Sequence, residues 1–288
     1  MLKVAAASVE FRPMSDFEDF AGHMRGVLDR TPDAEIVVLP EYLTLLLLTL
    51  ESGWHEMTMA DIPIVSKYTT MYREFFTHEA RKRGQYILAG TQLVETGTQW
   101  LNTAHFFWPD GRIDTHAKTH LFRAEGALGS IAEGVDAPTL IDLPTGRVAM
   151  AICYEVQIPE VVDAAVAAGA ELLLVPSFTL SEAGSFRVTR CAQARAIENQ
   201  IFVASSQMFG TPQGFFPGAW GQSGIFAPCD APWPANGELA LSASNVETSV
   251  QADLSFAQLA DVRGTGATAT YADRLRRANV YANWPSRR

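Results

Sequence analysis

Four residues of this 288-residue chain have types and settings that acyl-transfer chemistry uses. Cys153 closes the apolar run Val148-Ala149-Met150-Ala151-Ile152 and is followed by Tyr154 and Glu155, with helical sequence opening at Pro159. A thiol at a strand end just before a helix sits where α/β enzymes expose nucleophiles. A free cysteine is also among the residue types most often packed into a core, so position alone leaves both readings open. Glu41 follows Val37-Val38-Leu39-Pro40. A carboxylate directly after a buried strand and a proline lies at the rim of a sheet. There, partial burial raises its pKa towards that of a general base; fully solvated, it would be an ordinary loop glutamate. Lys118 stands in Ala117-Lys118-Thr119-His120-Leu121-Phe122-Arg123-Ala124-Glu125. A lysine taken alone is nearly always a solvated surface group. Here a second carboxylate, Glu125, follows it within the same segment.

Other chemistries find less support. His116 and His120 share an i, i+4 spacing, but the three cysteines, Cys153, Cys191 and Cys229, lack metal-type spacing, so no metal is expected. Nothing in the local sequence favours a Cys–His dyad. Cys191, beside Ala192 and Ala194, reads as a packed helix position and Cys229, after Pro228, as a loop bystander.

These residues must be positioned by short apolar runs separated by helical patterns. Lys3–Val9, Glu35–Leu39, Tyr86–Gln92, Ala104–Trp108, Arg147–Cys153, Leu172–Pro176 and Ile201–Ser205 read as strands buried on both faces. Asp16–Arg30 reads as a helix capped by Ser15, Ser66–Arg83 as one ending at Gly84, and Pro159–Ala168 as one ending at Gly169; Ser185–Asn199 is long and amphipathic. Alternating strands and helices predict an α/β architecture. The Pro109-Asp110-Gly111 turn between Ala104–Trp108 and Arg112–Thr115 adds a hairpin, hence a mixed sheet. Residues 210–245, rich in Gly and Pro but holding Trp220, Phe226 and Trp233, read as a long ordered loop region.

Composition narrows the function classes. Hydrophobic residues make up 48% and charged residues 19%, enough to build a substantial core and too apolar for disorder. The formal charge of -10, with no basic face, argues against a nucleic-acid partner. Arg81, Lys82 and Arg83, the densest internal basic run, read as a solvated helix end. Leu45 to Leu48 is far shorter than the roughly 20 residues that span a bilayer, so no membrane partner is expected. With an odd cysteine count and no CxxC pair, a reducing, cytoplasmic setting is the natural expectation. MLKVAAASVEFRP is too short and too soon interrupted to read as a signal peptide.

Placed in order, Leu39-Pro40-Glu41-Tyr42, Lys118-Thr119-His120-Leu121-Phe122 and Ile152-Cys153-Tyr154-Glu155 resemble the Glu–Lys–Cys triad segments of the nitrilase, or carbon–nitrogen hydrolase, superfamily. Val175-Pro176-Ser177-Phe178, Ala194-Arg195-Ala196-Ile197-Glu198-Asn199-Gln200 and Gly221-Gln222-Ser223-Gly224-Ile225 extend the resemblance over roughly Lys3 to Asp253. It departs in places: Glu155 and Gln157 stand where members often carry Asp and Arg, Ser185-Phe186-Arg187 where a His-Trp pair is common, and Gln222 where a His is usual. These positions bear on the pocket rather than the triad. The sequence is most similar to a branch that sometimes carries a fused acetyltransferase, a domain not expected within these 288 residues.

The resemblance implies a four-layer α-β-β-α sandwich of the nitrilase type with mixed sheets, built as one domain over 1–288. It implies a thioester mechanism with Cys153 as nucleophile, Glu41 as acid–base, Lys118 and the Tyr154 N–H as oxyanion donors, and Glu125 orienting Lys118, with no cofactor and no metal. A small amide, carbamoyl amine or nitrile would be the substrate. The Tyr at 154, in Cys-Tyr-Glu, favours an amide. Tyr42, Tyr154, Ser177 and Phe178 are expected on the substrate side. Arg187 reads as a surface residue that could otherwise take a substrate carboxylate. Family members pair through the helices after the nucleophile, so a homodimer or larger homo-oligomer is expected, with the segment from about Gly264 at the interface.

Overall fold

The computed structural model describes residues 1–210 and 218–282. The first part of the chain lays down β1 (Leu2–Glu10), α1 (Phe17–Leu28), β2 (Ile36–Val38), α2 (Leu45–Leu48), α3 (Thr69–Arg83), β3 (Tyr86–Thr96), β4 (Gln99–Phe107), β5 (Ile113–Ala117), α4 (Arg123–Ala127) and β6 (Ile131–Ala132). Strands β1, β2 and β3 pair in parallel, β4 and β5 continue antiparallel, and β6 joins the far part of β4. The second part supplies β7 (Leu140–Leu143), β8 (Gly146–Met150), α5 (Pro159–Ala167), β9 (Leu172–Phe178), α6 (Glu182–Asn199), β10 (Phe202–Phe209), β11 (Gly224–Phe226) and β12 (Glu238–Leu241). Here β8, β9 and β10 are parallel, with β7 antiparallel on one side and β11–β12 on the other. Finally β13 (Thr248–Leu254) runs back antiparallel to β1, and α7 (Phe256–Thr265) and α8 (Thr270–Ala282) follow.

Among the described residues, the strand ladders of the two half-sheets join where β1 and β10 meet at Val9↔Met208 and Glu10↔Phe209. Elsewhere they lie face to face, with the period-2 alternation of the strands dividing the core. Val4, Ala6, Ile36, Val38, Leu88 and Phe106 pack towards Met150, Leu174 and Ala204 of the other half-sheet. Their neighbours Ala5, Ala7, Val37, Ile87 and Phe107 pack instead against Phe20, Met24, Phe75 and Phe76 of α1 and α3. Helices α5 and α6 cover the second half-sheet through Val162, Ala165, Ala192 and Ala196. The layers run helix, sheet, sheet, helix, the mixed four-layer sandwich that the sequence predicts. Both faces of each central strand are covered, which is why those strands are near-continuous apolar runs.

Some boundaries differ from expectation. The cap of α1 is Asp16, which accepts from the Asp19 N–H at 2.8 Å, rather than Ser15. The segment before α3 is a 3-10 stretch, Met59–Tyr68, interrupted by Pro63, so α3 starts at Thr69 and not Ser66. The basic end of α3 is partly engaged: Arg83 pairs with Glu79 at 2.8 Å and Asp29 at 2.7 Å. Strand β8 stops at Met150, and Cys153 opens a 3-10 turn, Cys153–Gln157. Within 210–245 the chain forms β11 and β12, while 211–217 lie outside the described residues. Helix α8 has no buried residue and rests on α5 and α6, Arg274 pairing with Asp163 and donating to Asn199 at 2.7 Å. Among the described residues no helix is long and apolar enough to cross a membrane.

Candidate active site

Three of the four chemistry-bearing side chains sit where a strand gives out, and the fourth opens a helix. Glu41 follows β2, and the chain there is pressed against a β-bulge of β3. A Cβ on Gly90, in left-handed conformation at φ 70°, would stand 1.9 Å from the Pro40 carbonyl oxygen, so only glycine lets the two backbones approach. The next residue, Tyr42, itself holds φ 55°, its N–H donating to Thr91 Oγ1 at 2.8 Å. Lys118 follows β5 and is pinned by its own N–H to the Asn102 carbonyl at 2.8 Å. Glu125 lies in the first turn of α4, where its carboxylate accepts from the Phe122 N–H at 2.9 Å. Cys153 sits past β8 at φ 49°, a second strained non-glycine position.

These four side chains converge on one pocket and are almost completely buried. Lys118 Nζ donates to Glu41 Oε1 and to Glu125 Oε2, both at 2.7 Å. Asn102 Nδ2 bridges the same two carboxylates at 2.9 and 3.0 Å. The Tyr42 hydroxyl donates to Glu125 at 2.6 Å, and the Phe178 N–H to the free oxygen of Glu41 at 2.9 Å. The Cys153 thiol donates to the Phe178 carbonyl at 3.6 Å and lines the same pocket as Glu41. Tyr42, Tyr154 and Phe178 line the same pocket; Tyr42 and Phe178 meet edge to face at 6.1 Å.

The two carboxylates are not equivalent. Burial raises the pKa of Glu41, and the negative charge of Glu125 adds to the effect; the pull of Lys118 does not overcome it. Burial acts in the same direction on Glu125, but the Lys118 charge and donors from Lys118, Tyr42 and Phe122 outweigh it and hold that carboxylate low. Lys118 is itself pushed up by Glu125 and Glu41 in spite of its burial, so it stays an ammonium. Burial and the Glu41 charge raise the Cys153 thiol well above its usual range. A protonated thiol therefore faces a carboxylate disposed to accept a proton, with a fixed cation alongside. That combination suits nucleophilic attack coupled to proton transfer. Among the described residues no cluster of His, Cys, Asp and Glu has the makings of a metal site.

The carbon–nitrogen hydrolase family model matches residues 5–262. This chain belongs to that family. Among its relatives, the carbon–nitrogen hydrolase is 31% identical over 96% of its length to a probable hydrolase, YhcX, of Bacillus subtilis, of which it spans only 54%. It is 28% identical to a 2-oxoglutaramate amidase of Paenarthrobacter nicotinovorans, covering 92% of this chain and 87% of that one. It is also 28% identical to the omega-amidase NIT2 of Danio rerio, over 80% of this chain and 79% of that one. Among solved structures, an amidase of the nitrilase superfamily from Nesterenkonia AN1 superposes with a TM-score of 0.75 at 22% identity, covering 99% of this chain and 98% of that one. The chain is thus a carbon–nitrogen hydrolase with the nitrilase-type fold.

One residue expected on the substrate side of this hydrolase lies elsewhere. Ser177 is buried in β9 with its hydroxyl turned to the Val175 carbonyl at 3.5 Å, and it does not line the pocket. Neighbours on a strand point to opposite faces, so Phe178 and Ser177 cannot both face the cleft. The sequence did not single out Asn102, and it left Arg187 between a surface role and contact with a substrate carboxylate. Asn102, buried inside β4, bridges both carboxylates. Arg187, read as a surface residue, is exposed as expected but lies on the pocket rim.

Proposed function

We propose that this carbon–nitrogen hydrolase is an amidase acting on small amides through a thioester on Cys153. The observation that carries this reading is the Lys118 ammonium, held between Glu41 and Glu125 at 2.7 Å each, in the pocket that holds the Cys153 thiol. Cys153 attacks the amide carbon while Glu41 takes the thiol proton. The carbonyl oxygen becomes an oxyanion. An ammonium has three N–H donors, and two point at carboxylates, so the third is available to that oxygen. The Tyr154 N–H is a second donor: it lies in the first turn of the 3-10 segment Cys153–Gln157, where backbone N–H groups have no intrahelical partner. Glu41 returns its proton to the departing nitrogen, the C–N bond breaks, and ammonia or an amine leaves. Water, deprotonated by Glu41, then attacks the thioester; the carboxylic acid departs and the proton returns to sulfur. Glu125 keeps Lys118 charged and oriented. Tyr42, Tyr154 and Phe178 form walls for the acyl group. The amidase names of several relatives support an amide over a nitrile. Assembly is inferred to run through α5, α6 and the segment from about Gly264, where Ile197, Leu275 and Val280 are exposed.

The test is ammonia release from a panel of small amides, carbamoyl amines and nitriles by the wild type, Cys153→Ala and Cys191→Ala. Release from amides that vanishes in Cys153→Ala and persists in Cys191→Ala is the expected result. Release confined to nitriles or carbamoyl amines would replace the amide reading. Amide turnover that survives in Cys153→Ala would remove the thioester mechanism.

A further inference from the structure

A carboxylate offers about four lone-pair sites, two on each oxygen. Glu125 has all of them taken. Tyr42 and Asn102 donate to its Oε1 at 2.6 and 3.0 Å, and Lys118 and the Phe122 N–H to its Oε2 at 2.7 and 2.9 Å. Glu41 is one donor short of this. Lys118 and Asn102 donate to its Oε1 at 2.7 and 2.9 Å, and the Phe178 N–H to its Oε2 at 2.9 Å. These donors leave one site of Glu41 Oε2 untaken. The backbone of Phe178 links that oxygen to the nucleophile, since the Phe178 carbonyl accepts from the Cys153 thiol at 3.6 Å.

Asn102 fills the second Oε1 position on both carboxylates. It is fully buried in β4, opposite Leu93 of β3, and its own carbonyl accepts from the Lys118 N–H at 2.8 Å. Its Oδ1 has no partner among the described residues, so the side chain is held through its two N–H groups alone. Turned over, the amide would set an oxygen against two carboxylates, which fixes the orientation seen. The residue type matters in two ways. Two carboxylates compete for the three N–H groups of one ammonium; the donors from Asn102 leave the third N–H of Lys118 for the substrate oxygen. They also do this without a second cation, which would hold Glu41 low as an anion and weaken it as a base. The charged and titratable groups facing Glu41 are then Lys118 beyond β5, Glu125 on α4, Tyr42 beyond β2 and Cys153 beyond β8.

We propose that Asn102 is a positioning residue that completes Oε1 of both carboxylates, so that Glu41 Oε2 is the oxygen that exchanges protons. In the attack the S–H bond breaks, an O–H bond forms on Oε2 and the sulfur electron pair goes to the amide carbon. The same proton later leaves Oε2 for the departing nitrogen. The inference rests on the reading of Glu41 as the acid–base and adds the residue that prepares it. The experiment compares the wild type with Asn102→Leu, which keeps the size without the donors, and Asn102→Asp, which keeps the shape and adds a negative charge. Each is first checked for a cooperative melting transition. The pH dependence of kcat/KM on a small amide is measured beside an infrared titration of the Glu41 carboxyl, its band assigned by its loss in Glu41→Gln. In Asn102→Leu the acid limb and the infrared titration should both move up by about one pH unit, as the loss of a hydrogen bond to a charged group predicts. Asn102→Asp should move both further. Where Asn102→Leu does not fold, Asn102→Thr, which keeps one donor on a strand-favouring side chain, is read by the same outcomes. Neither moving, in a folded and active variant, would overturn the role of Asn102 and leave Glu41 as the base. An infrared shift with an unmoved acid limb would overturn the proton step on Glu41 together with its acid–base reading. A wild type that turns over no amide would remove the amidase reading, and the infrared titration alone would then decide for or against Asn102.

Discussion

Two buried carboxylates, Glu41 in the pocket of Cys153 and Glu155 within the Cys153 turn, behave in opposite ways. Glu41 faces an open pocket, shares Lys118 with Glu125, and has its pKa raised by burial. Glu155, two residues past the cysteine, does not line that pocket and accepts several hydrogen bonds. It accepts from the Ile152 N–H at 2.6 Å, the Thr119 N–H at 2.7 Å and the Thr119 hydroxyl at 2.6 Å, and lies 3.0 Å from His116 Nε2. Burial would raise Glu155 too, but His116 and the Thr119 donors outweigh it and hold it low. The same side chain at similar depth thus has its pKa raised in one place and lowered in the other. What separates them is donor count and the presence of a cavity. Glu155 ties the Lys118 segment to the Cys153 turn; Glu41 is left under-stabilised as an anion, as a general base must be.

The comparison breaks most sharply under substitution. Glu41→Gln should lower kcat/KM by about 10²- to 10⁴-fold, the range of a lost general acid–base. Its melting temperature should hold or rise, because a raised carboxylate pKa means that burying the anion opposes folding at neutral pH. An enzyme that keeps its rate, or loses it only by unfolding, would refute the assignment of Glu41.

Glu155→Gln should do the reverse and cost about 1.5–3 kcal/mol of stability through the loss of charged hydrogen bonds. The sign with pH follows from its depressed pKa. Stability from the Glu155 carboxylate is fully present above the ordinary value of 4.5 and fades as pH falls through the lower folded value. The gap in melting temperature between wild type and Glu155→Gln should therefore be widest near neutrality and close in acid. A gap that does not change with pH would mean that the charge of Glu155 contributes nothing.

A smaller effect sharpens the contrast from the catalytic side. The acid limb of kcat/KM should lie above 4.5, because Glu41 is raised and activity is lost as it protonates. An acid limb at or below 4.5 would point to a carboxylate other than Glu41 as the base.

Much of this was legible in the sequence because the site lies at strand ends, and strand ends are marked by where an apolar run stops. Cys153 and Glu41 each follow such a run; Lys118, after the polar Ile113–Ala117, was legible only through the motif order that identified the family. Glu125 was legible through that order alone. Asn102 was not: an asparagine inside a strand carries no local signal, and its role appears only once β4 lies across both carboxylates. Ser177 is outside the pocket lining because a motif names neighbours without saying which of two alternating faces each takes. The cap of α1 shifted by one residue because Ser15 and Asp16 are both good caps, and only Asp16 presents its oxygen to the Asp19 N–H. Arg187 is exposed, as read, but exposure does not distinguish open surface from a pocket rim.

The central claim is that Cys153 carries the acyl group. The direct measurement is intact-mass analysis of enzyme quenched during amide turnover, with peptide mapping of any adduct, beside Cys191→Ala and Cys153→Ala controls. The account predicts an added acyl mass on Cys153 in the wild type and in Cys191→Ala, and none in Cys153→Ala. An adduct mapped to Cys191 or Cys229, or steady turnover by Cys153→Ala, would contradict it.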